Sequence, residues 1–438
     1  MPTTLNRREF IRQATVAGTA LPLTAALTAK SHAGDDPAKA APNERLNVGV
    51  IGVAGRGEAN LSGVAGQNIV ALCDIDAERL GKAAEQFPSA KTYDDYRRVI
   101  DHPELDCVVV STPDHMHAFP VVAALQAGFD VYCEKPLAHS VWETREIRRW
   151  TARQKAVTQL GTQIHAGSNY RRAVEIVKSG LLGPVERVHV WHGGHVLSFK
   201  GVTPLTPPPY VNYDLWLGPA PERPYSPAHF HYNWRYWWDF GNGTLGDFGC
   251  HYMDLPHWAL GLREALTIEA HGEKGHDGDN PCPDHMQVDY HYPARGDLPP
   301  VHLTWYQGDY RPREFAEYGD GKSSAVLFEG SRGRLLADYS THKVFFPGDA
   351  EFVPPGPTIP DSIGHHAEFI EAVKSRTATT CNFDYSGALT ETVLLGNVSY
   401  RLGGTKLEWD DAELRATNSS EADRYLRREY RSGWVLGA

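Results

Sequence analysis

Lys135 stands between Glu134 and Pro136 at the end of an apolar run, and Asp247 and His251 stand four apart in GTLGDFGCHYMDLPHWAL. A lysine at the carboxyl end of a buried strand can hold a cofactor or substrate oxygen, and its charge depresses the pKa of a bound alcohol. If the second segment is one helix, Asp247, His251 and Asp254 share a face at i, i+4 and i+7, beside an apolar stripe of Phe248, Tyr252 and Leu255. Gly246 and Asp247 suit the start of that helix, and Pro256 would kink its middle. Asp and His at this spacing do acid–base work or hold a metal. His189, His192 and His195, three apart in the preceding stretch, pose the same choice. Neither set has the Cys or third-ligand spacing of a strong metal site, so no metal is expected.

A second group of residues points to a phosphate-bearing ligand. VGVIGVAGRGEANL places Gly52, Gly55 and Gly57 between an apolar run and a helical stretch. A dinucleotide fingerprint needs a tight turn, close backbone approach to pyrophosphate, and close helix–strand packing. Gly52 and Gly57 fit its first and third positions, while Ala54, beside Gly55 and Arg56, replaces the second glycine. Asp74 ends the next apolar run 22 residues after Gly52. An acid there accepts both ribose hydroxyls and repels a 2′-phosphate, so NAD is expected rather than NADP. STPDHMH and CEKP end two further runs, which directs Thr112, Pro113, His115, His117, Glu134 and Lys135 at the same crevice. For the two histidines, a helix start with local hydrogen bonds is an equal reading. Gln163 completes the expected cofactor contacts.

These residues must be positioned by LNVGVIGV, NIVALCD, CVVVSTP and DVYCEKP, near-continuous apolar runs alternating with helices of ten to fifteen residues. That pattern means a parallel sheet covered on both faces. The second half changes character. Residues 185–192 and 301–307 alternate like half-buried strands, and 203–241 is crowded with Pro, Trp and Tyr, a length that points to function or an interface. The expected fold is an α/β Rossmann domain over 46–163, followed by an α+β domain over 164–438 with a large, mostly antiparallel open sheet.

Composition sets the outer limits. With 438 residues, 41% hydrophobic and 22% charged, the chain is globular and long enough for two domains. A net charge of −11 argues against a nucleic-acid or anionic-membrane partner. Arg7-Arg8, the mildly apolar run from Ala14 to Ala29 and Ser31-His32-Ala33 resemble a twin-arginine export signal over 1–33, followed by a Pro/Ala-rich linker over 34–45. A periplasmic protein, free of the membrane after cleavage, is therefore expected. Cys73, Cys107 and Cys133 read as free core thiols.

The fingerprint, TPDHMHA and EKP together resemble the Gfo/Idh/MocA oxidoreductases. GTQIHAGSNYRRAVEIVKSGLLGPV, NYDLWLGPAPERPY, GDFGCHYMDLP and NFDYSGALTETVLLGN extend the resemblance from about Leu46 to the C-terminus. It implies a homodimer or homotetramer formed through the open sheet, and a catalytic set of Lys135, Asp247 and His251. In that set His251 would be the base and Lys135 would stabilise the alkoxide. A helix N-terminus disfavours imidazolium while Asp247 favours it, which brackets a useful pKa. Tyr170, Arg235, Trp237, Trp238 and Asp254 would then surround a carbohydrate, although a Trp-rich loop equally suits an interface. The expected activity is NAD-dependent oxidation of a sugar, glycoside or polyol hydroxyl. Outside the cytoplasm no pool regenerates the cofactor, so it should stay bound and be recycled. An NAD-dependent glycoside hydrolase or lyase is one alternative, and a non-catalytic sugar-binding protein is another.

Overall fold

The computed structural model describes residues 44–349 and 352–437. The expected export signal over 1–33 and nearly all of the expected linker over 34–45 lie outside the described residues.

The apolar runs form strands β1 (Asn47–Ile51), β2 (Asn68–Cys73), β3 (Lys91–Tyr93), β4 (Cys107–Val110), β5 (Asp130–Cys133) and β6 (Thr158–Leu160). They make one parallel sheet in the order β3-β2-β1-β4-β5-β6. Every residue of β4 and β5 is buried, as continuous Val/Cys runs between two helical layers require. The chain reverses direction between β1 and β4, so a crevice opens at their carboxyl ends. All six cysteines are free and buried.

The second sheet has nine strands: β7 (Val185–His192), β8 (Thr267–Glu273), β9 (His285–Tyr292), β10 (Val301–Gln307), β11 (Ser324–Gly330), β12 (Arg334–Ala337), β13 (His342–Phe345), β14 (Leu407–Asp410) and β15 (Arg415–Ala416). Their order is β13-β12-β11-β7-β10-β9-β8-β14-β15, antiparallel except for β7 and β10. Alternation assigns the faces. Val188, Val190, Val288, Leu303 and Trp305 join the core under helices Ser168–Lys178, Gly243–Tyr252 and Phe383–Arg401. Arg187, His189, Asp289, His302 and Thr304 point the other way.

The segment expected as one kinked helix is two. Gly243–Tyr252 ends at Met253, and Asp254–Leu260 begins a second helix with Pro256 in its first turn. Proline lacks the N–H that would continue the first ladder but is tolerated in a first turn. Asp254 therefore leaves the face shared by Asp247 and His251.

The two sheets are not independent. Helix His365–Ser375 packs Phe369, Ile370 and Val373 onto the β1–β4 layer, and Phe383 and Trp434 enter its other face. Helix Val141–Gln154 starts with a capping box, Ser140 with Glu143, and Glu143 also accepts from Arg428 (2.8 Å) and Tyr430 (2.9 Å) of the C-terminal tail. Farther along that helix, Arg145 grips Glu391 through two nitrogens and also reaches Asp411, while Arg148 bonds Glu391 at 3.0 Å. No described helix is long and apolar enough to cross a membrane. Arg145→Met should destabilise the protein by roughly 3 kcal/mol, the low end for breaking a buried pair because Arg148 stays on Glu391. Chemical denaturation checks this; an unchanged midpoint would show that the grip is incidental.

Candidate active site

A cavity of about 640 Å³ lies along the carboxyl ends of β1, β2, β4 and β5. The glycine turn forms its floor. Gly52 has φ +83°, and a Cβ there would meet the Ser111 carbonyl at 2.6 Å. A Cβ on Gly57 would meet the Gly52 carbonyl at 2.0 Å, so Gly57 lies beneath the floor and allows the helix–strand approach expected of a third glycine. Gly55 has φ +59° and open space where its side chain would be. It precedes helix Arg56–Val64 without any side-chain cap. Gly57 N–H donates to the Ala54 carbonyl at 3.0 Å, and no side chain caps the rest of that first turn, a position that favours an anionic ligand. Asp74 lines the same cavity, held by the amides of Val53 and Asp76, both at 3.1 Å. These features fit an NAD pyrophosphate and ribose.

Glu134 braces the cofactor end of the cavity. It accepts from Arg56 (3.2 Å), Asn60 (2.9 Å) and Gln163 (2.8 Å) through one oxygen. His117 ties two strand ends together, with one ring nitrogen 2.7 Å from the Thr112 carbonyl and the other 2.7 Å from that of Pro136.

At the other end Lys135 meets Asp247. Its ammonium donates to the Asp247 carboxylate and, at 2.7 Å, to the Asp247 carbonyl. Two of three protons are thereby used, and one remains for a ligand oxygen. Arg235 stands 3.3 Å from the same carboxylate. Burial alone would raise the Asp247 carboxyl, but Lys135 and Arg235 hold it well below its usual range. His251 is opposite in character. Burial first, then Lys135, lowers its pKa to about 3 against the pull of Asp247, so burial outweighs the balance expected from sequence. The resting imidazole is neutral, and its buried Nδ1 has no hydrogen-bond partner.

Six sequence candidates do not line the cavity. Gly57 is the packing residue just described. His115 is buried against Trp216, whose carbonyl lies 2.7 Å from its Nε2. Tyr170 is fully buried and donates to the His251 carbonyl at 3.2 Å. It positions the helix and has no hydroxyl free for substrate. Trp237 belongs to an aromatic core with Phe240 and Trp216, and Trp238 packs against Tyr400 and Arg401. Asp254 is buried 2.8 Å from His165 Nδ1 and accepts from Tyr385 at 2.7 Å. The three histidines weighed as ligands separate: His192 stacks on Phe248, His189 faces the far side of the sheet, and His195 is exposed.

Sequence reasoning missed one feature and left a second, the 203–241 segment, undecided between function and interface. Asp114, the first residue of helix Asp114–Gln126, lines the cavity and is 4% exposed. Burial raises its carboxyl to about 7, against the opposing pull of Lys135 and Arg235. Its place inside the TPDHMH motif was the available signal. The second feature is a strap formed by the aromatic-rich segment before Asn242. The Tyr210 carbonyl accepts from Ala77 N–H, and Asn212 N–H donates to the Ile75 carbonyl, both at 2.8 Å. His231 sits 2.9 Å from Asp76. The strap thus crosses the residues that follow Asp74, and its Trp216, Tyr232 and Trp234 form cavity wall.

Residues 46–162 match the Gfo/Idh/MocA family described as "Oxidoreductase family, NAD-binding Rossmann fold", and residues 167–436 match its "C-terminal alpha/beta domain". The chain is 27% identical over 238 residues to levoglucosan dehydrogenase of Pseudarthrobacter phenanthrenivorans, covering 51% of this chain and 53% of that one. It is 32% identical over 153 residues to inositol 2-dehydrogenase of Salmonella paratyphi B, covering 34% and 46%. The chain spans about half the length of these curated relatives. Among solved structures, aldose–aldose oxidoreductase from Caulobacter crescentus superposes with a TM-score of 0.59 at 17% identity, covering 83% of this chain and all of that one. That likeness supports the fold.

The Asp114 carboxyl gives a pH test. Its pKa is about 7 when folded, against roughly 4 for an unfolded Asp. The native state therefore binds the extra proton between those values, and stability falls as pH rises through that window. Asp114→Asn should raise Tm by several degrees at pH 8 and leave it unchanged at pH 4. An equal offset at both pH values would mean that Asp114 titrates normally.

Proposed function

The chain belongs to the Gfo/Idh/MocA oxidoreductases, and on that premise we propose that it oxidises a hydroxyl of a sugar, glycoside or polyol with NAD. The observation that carries this reading is the Lys135–Asp247 ion pair beside a neutral His251, at one end of a cavity whose other end holds the glycine turn and Asp74.

NAD held by the glycine turn and Asp74 would supply the hydride acceptor for the carbinol carbon, and the chain's residues manage the accompanying proton. The free proton of Lys135 is available to the substrate oxygen and stabilises negative charge developing there. Neutral His251 is free to accept the hydroxyl proton. Asp247, four residues earlier, favours the imidazolium that results. Arg235, Trp216, Tyr232 and Trp234 offer planar donors and aromatic faces suited to the C–H faces and hydroxyls of a sugar ring.

Two further parts of the reading rest on sequence and strap together. Export through the Arg7-Arg8 signal would place the enzyme where no nicotinamide pool exists. A strap across the ribose end of the cavity is what a retained, internally recycled cofactor needs. Oligomerisation through the open sheet, as homodimer or homotetramer, completes the proposal.

A redox-neutral variant is favoured by one observation, the Asp114 carboxyl, whose pKa burial raises to about 7 so that a substantial fraction keeps its proton near neutrality. Transient oxidation of a ring carbon acidifies its neighbour and permits elimination of a glycosidic leaving group, which such an acid can protonate. Net consumption of a second sugar as oxidant, against release of a leaving group without one, separates the two reactions.

Purified full-length protein should carry bound NAD, and a sugar substrate should produce a reduced-nicotinamide band. Lys135→Ala should slow that single-turnover band by ~10²–10³ while NAD stays bound. Wild-type speed in this variant would remove Lys135 from the chemistry, and wild-type protein that shows no affinity for NAD would overturn the reading.

A further inference from the structure

The sheet face turned away from the cavity holds a second constellation. His189 of β7 is 2% exposed there. Its Nδ1 lies 3.1 Å from the Tyr306 hydroxyl, and its Nε2 lies 3.0 Å from Glu329 Oε1 and 3.5 Å from Glu314 Oε2. Glu329 belongs to β11. Glu314 comes from the excursion after β10, which is fixed where Phe315 packs edge-on against Trp191.

Each carboxylate is divided between two tasks. Glu329 accepts from Arg334 Nε at 2.9 Å through Oε2, leaving Oε1 for His189. Glu314 accepts from Arg313 through Oε1, leaving Oε2. With Nδ1–H donating to Tyr306, the Nε2 lone pair faces the two remaining carboxylate oxygens. We propose that His189 Nε2, Glu314 Oε2 and Glu329 Oε1 form a site for a divalent transition-metal ion, Zn²⁺ being the best match to one imidazole and two carboxylates.

The dimensions agree with this assignment. Zn–N and Zn–O bonds of about 2.0–2.2 Å place the ligand atoms of a tetrahedron about 3.4 Å apart, and the two observed separations of 3.0 and 3.5 Å bracket that edge. All three ligand atoms lie within 4.8 Å of one another. Tyr306, Arg313 and Arg334 supply the outer hydrogen bonds that orient metal ligands and fix a histidine's tautomer. One coordination position stays open for water. The ion would clip the excursion to the sheet, a structural role on the face opposite the cavity.

A neighbouring cluster, His195, Asp284 and His285, is the natural competitor. There His285 Nδ1 accepts from the Asp309 amide at 3.0 Å. The proton of a neutral ring then sits on Nε2, the atom facing Asp284, so this cluster lacks its second imidazole lone pair.

The experiment uses tag-free, full-length protein stripped with chelator and titrated with ZnCl₂ by calorimetry, with Co²⁺ as a spectroscopic stand-in. One saturable equivalent per chain and a low-coordinate Co²⁺ spectrum are expected. Glu314→Gln and Glu329→Gln should each weaken Zn²⁺ binding at least ~10-fold, the usual scale of losing support at a metal site, with circular dichroism confirming that each variant is folded. His189→Gln should abolish it, with circular dichroism unchanged. The proposal is overturned if the wild type takes up no Zn²⁺, if both glutamate variants bind as tightly as wild type, or if uptake is lost in His195→Ala instead.

Discussion

The ion pair between Lys135 and Asp247 is the constraint on which the arrangement of the cavity depends. Its members stand 112 residues apart. One lies two residues past the end of β5 of the parallel sheet, and the other lies in helix Gly243–Tyr252, which packs on the nine-stranded sheet. Two charges removed from water are tolerated only when they meet in good geometry and their remaining hydrogen-bond capacity is used. That requirement brings the helix to the carboxyl edge of the first sheet. Small residues let that helix pack closely on its own side: a Cβ on Gly246 would fall 2.1 Å from the Cβ of the N-cap Asn242, and one on Gly249 would press at 3.0 Å on Leu245 and on Val393 of helix Phe383–Arg401. Tyr170 secures the far end of the helix through the His251 carbonyl.

Once that pair is made, the electrostatics of its neighbours follow. Asp247 absorbs the attention of Lys135 and Arg235 and is driven deep into its ionised state. Asp114, in the same cavity, has only a 3.4 Å bond from Asn242, and burial dominates it. Two carboxyls in one cavity with pKa values pushed apart is the pattern that separates a fixed charge from a proton carrier. His251 is kept neutral by the same burial and by the Lys135 charge. This end of the cavity therefore sets one committed anion, Asp247, between the cations Lys135 and Arg235, beside two groups, Asp114 and His251, that are placed to exchange protons.

How much of this was legible in the sequence depends on the range of the forces involved. The parallel strands, the glycine turn and Asp74 are local patterns, because strands buried on both faces must be continuous apolar runs and a tight turn must be glycine. Lys135 and the Asp247–His251 spacing were visible for the same reason. Asp254 was misplaced because the helix breaks at Met253, one residue before it. The aromatics were misassigned on similar grounds. Trp237 and Trp238 resemble Trp216 and Trp234 in composition, and only the points where the strap bonds Ala77 and Ile75 decide which of them face the cavity. Asp114 was in plain view within its motif, but its burial is completed from the second half of the chain, by Asn242, 128 residues away.

The strap also changes what cofactor retention demands. A dinucleotide held only by the glycine turn and Asp74 would need high affinity to persist outside a nicotinamide pool. Under the proposed function, enclosure would substitute a slow step for that affinity, because release would wait on opening of the strap. Opening must break two backbone hydrogen bonds and the His231–Asp76 contact beside the ribose acid, and it exposes wall residues such as Trp216 and Trp234. Under the proposed reaction both half-cycles use one bound cofactor, so slow release costs no turnover. The same enclosure that would throttle an enzyme exchanging NADH with solvent is then compatible with rapid catalysis.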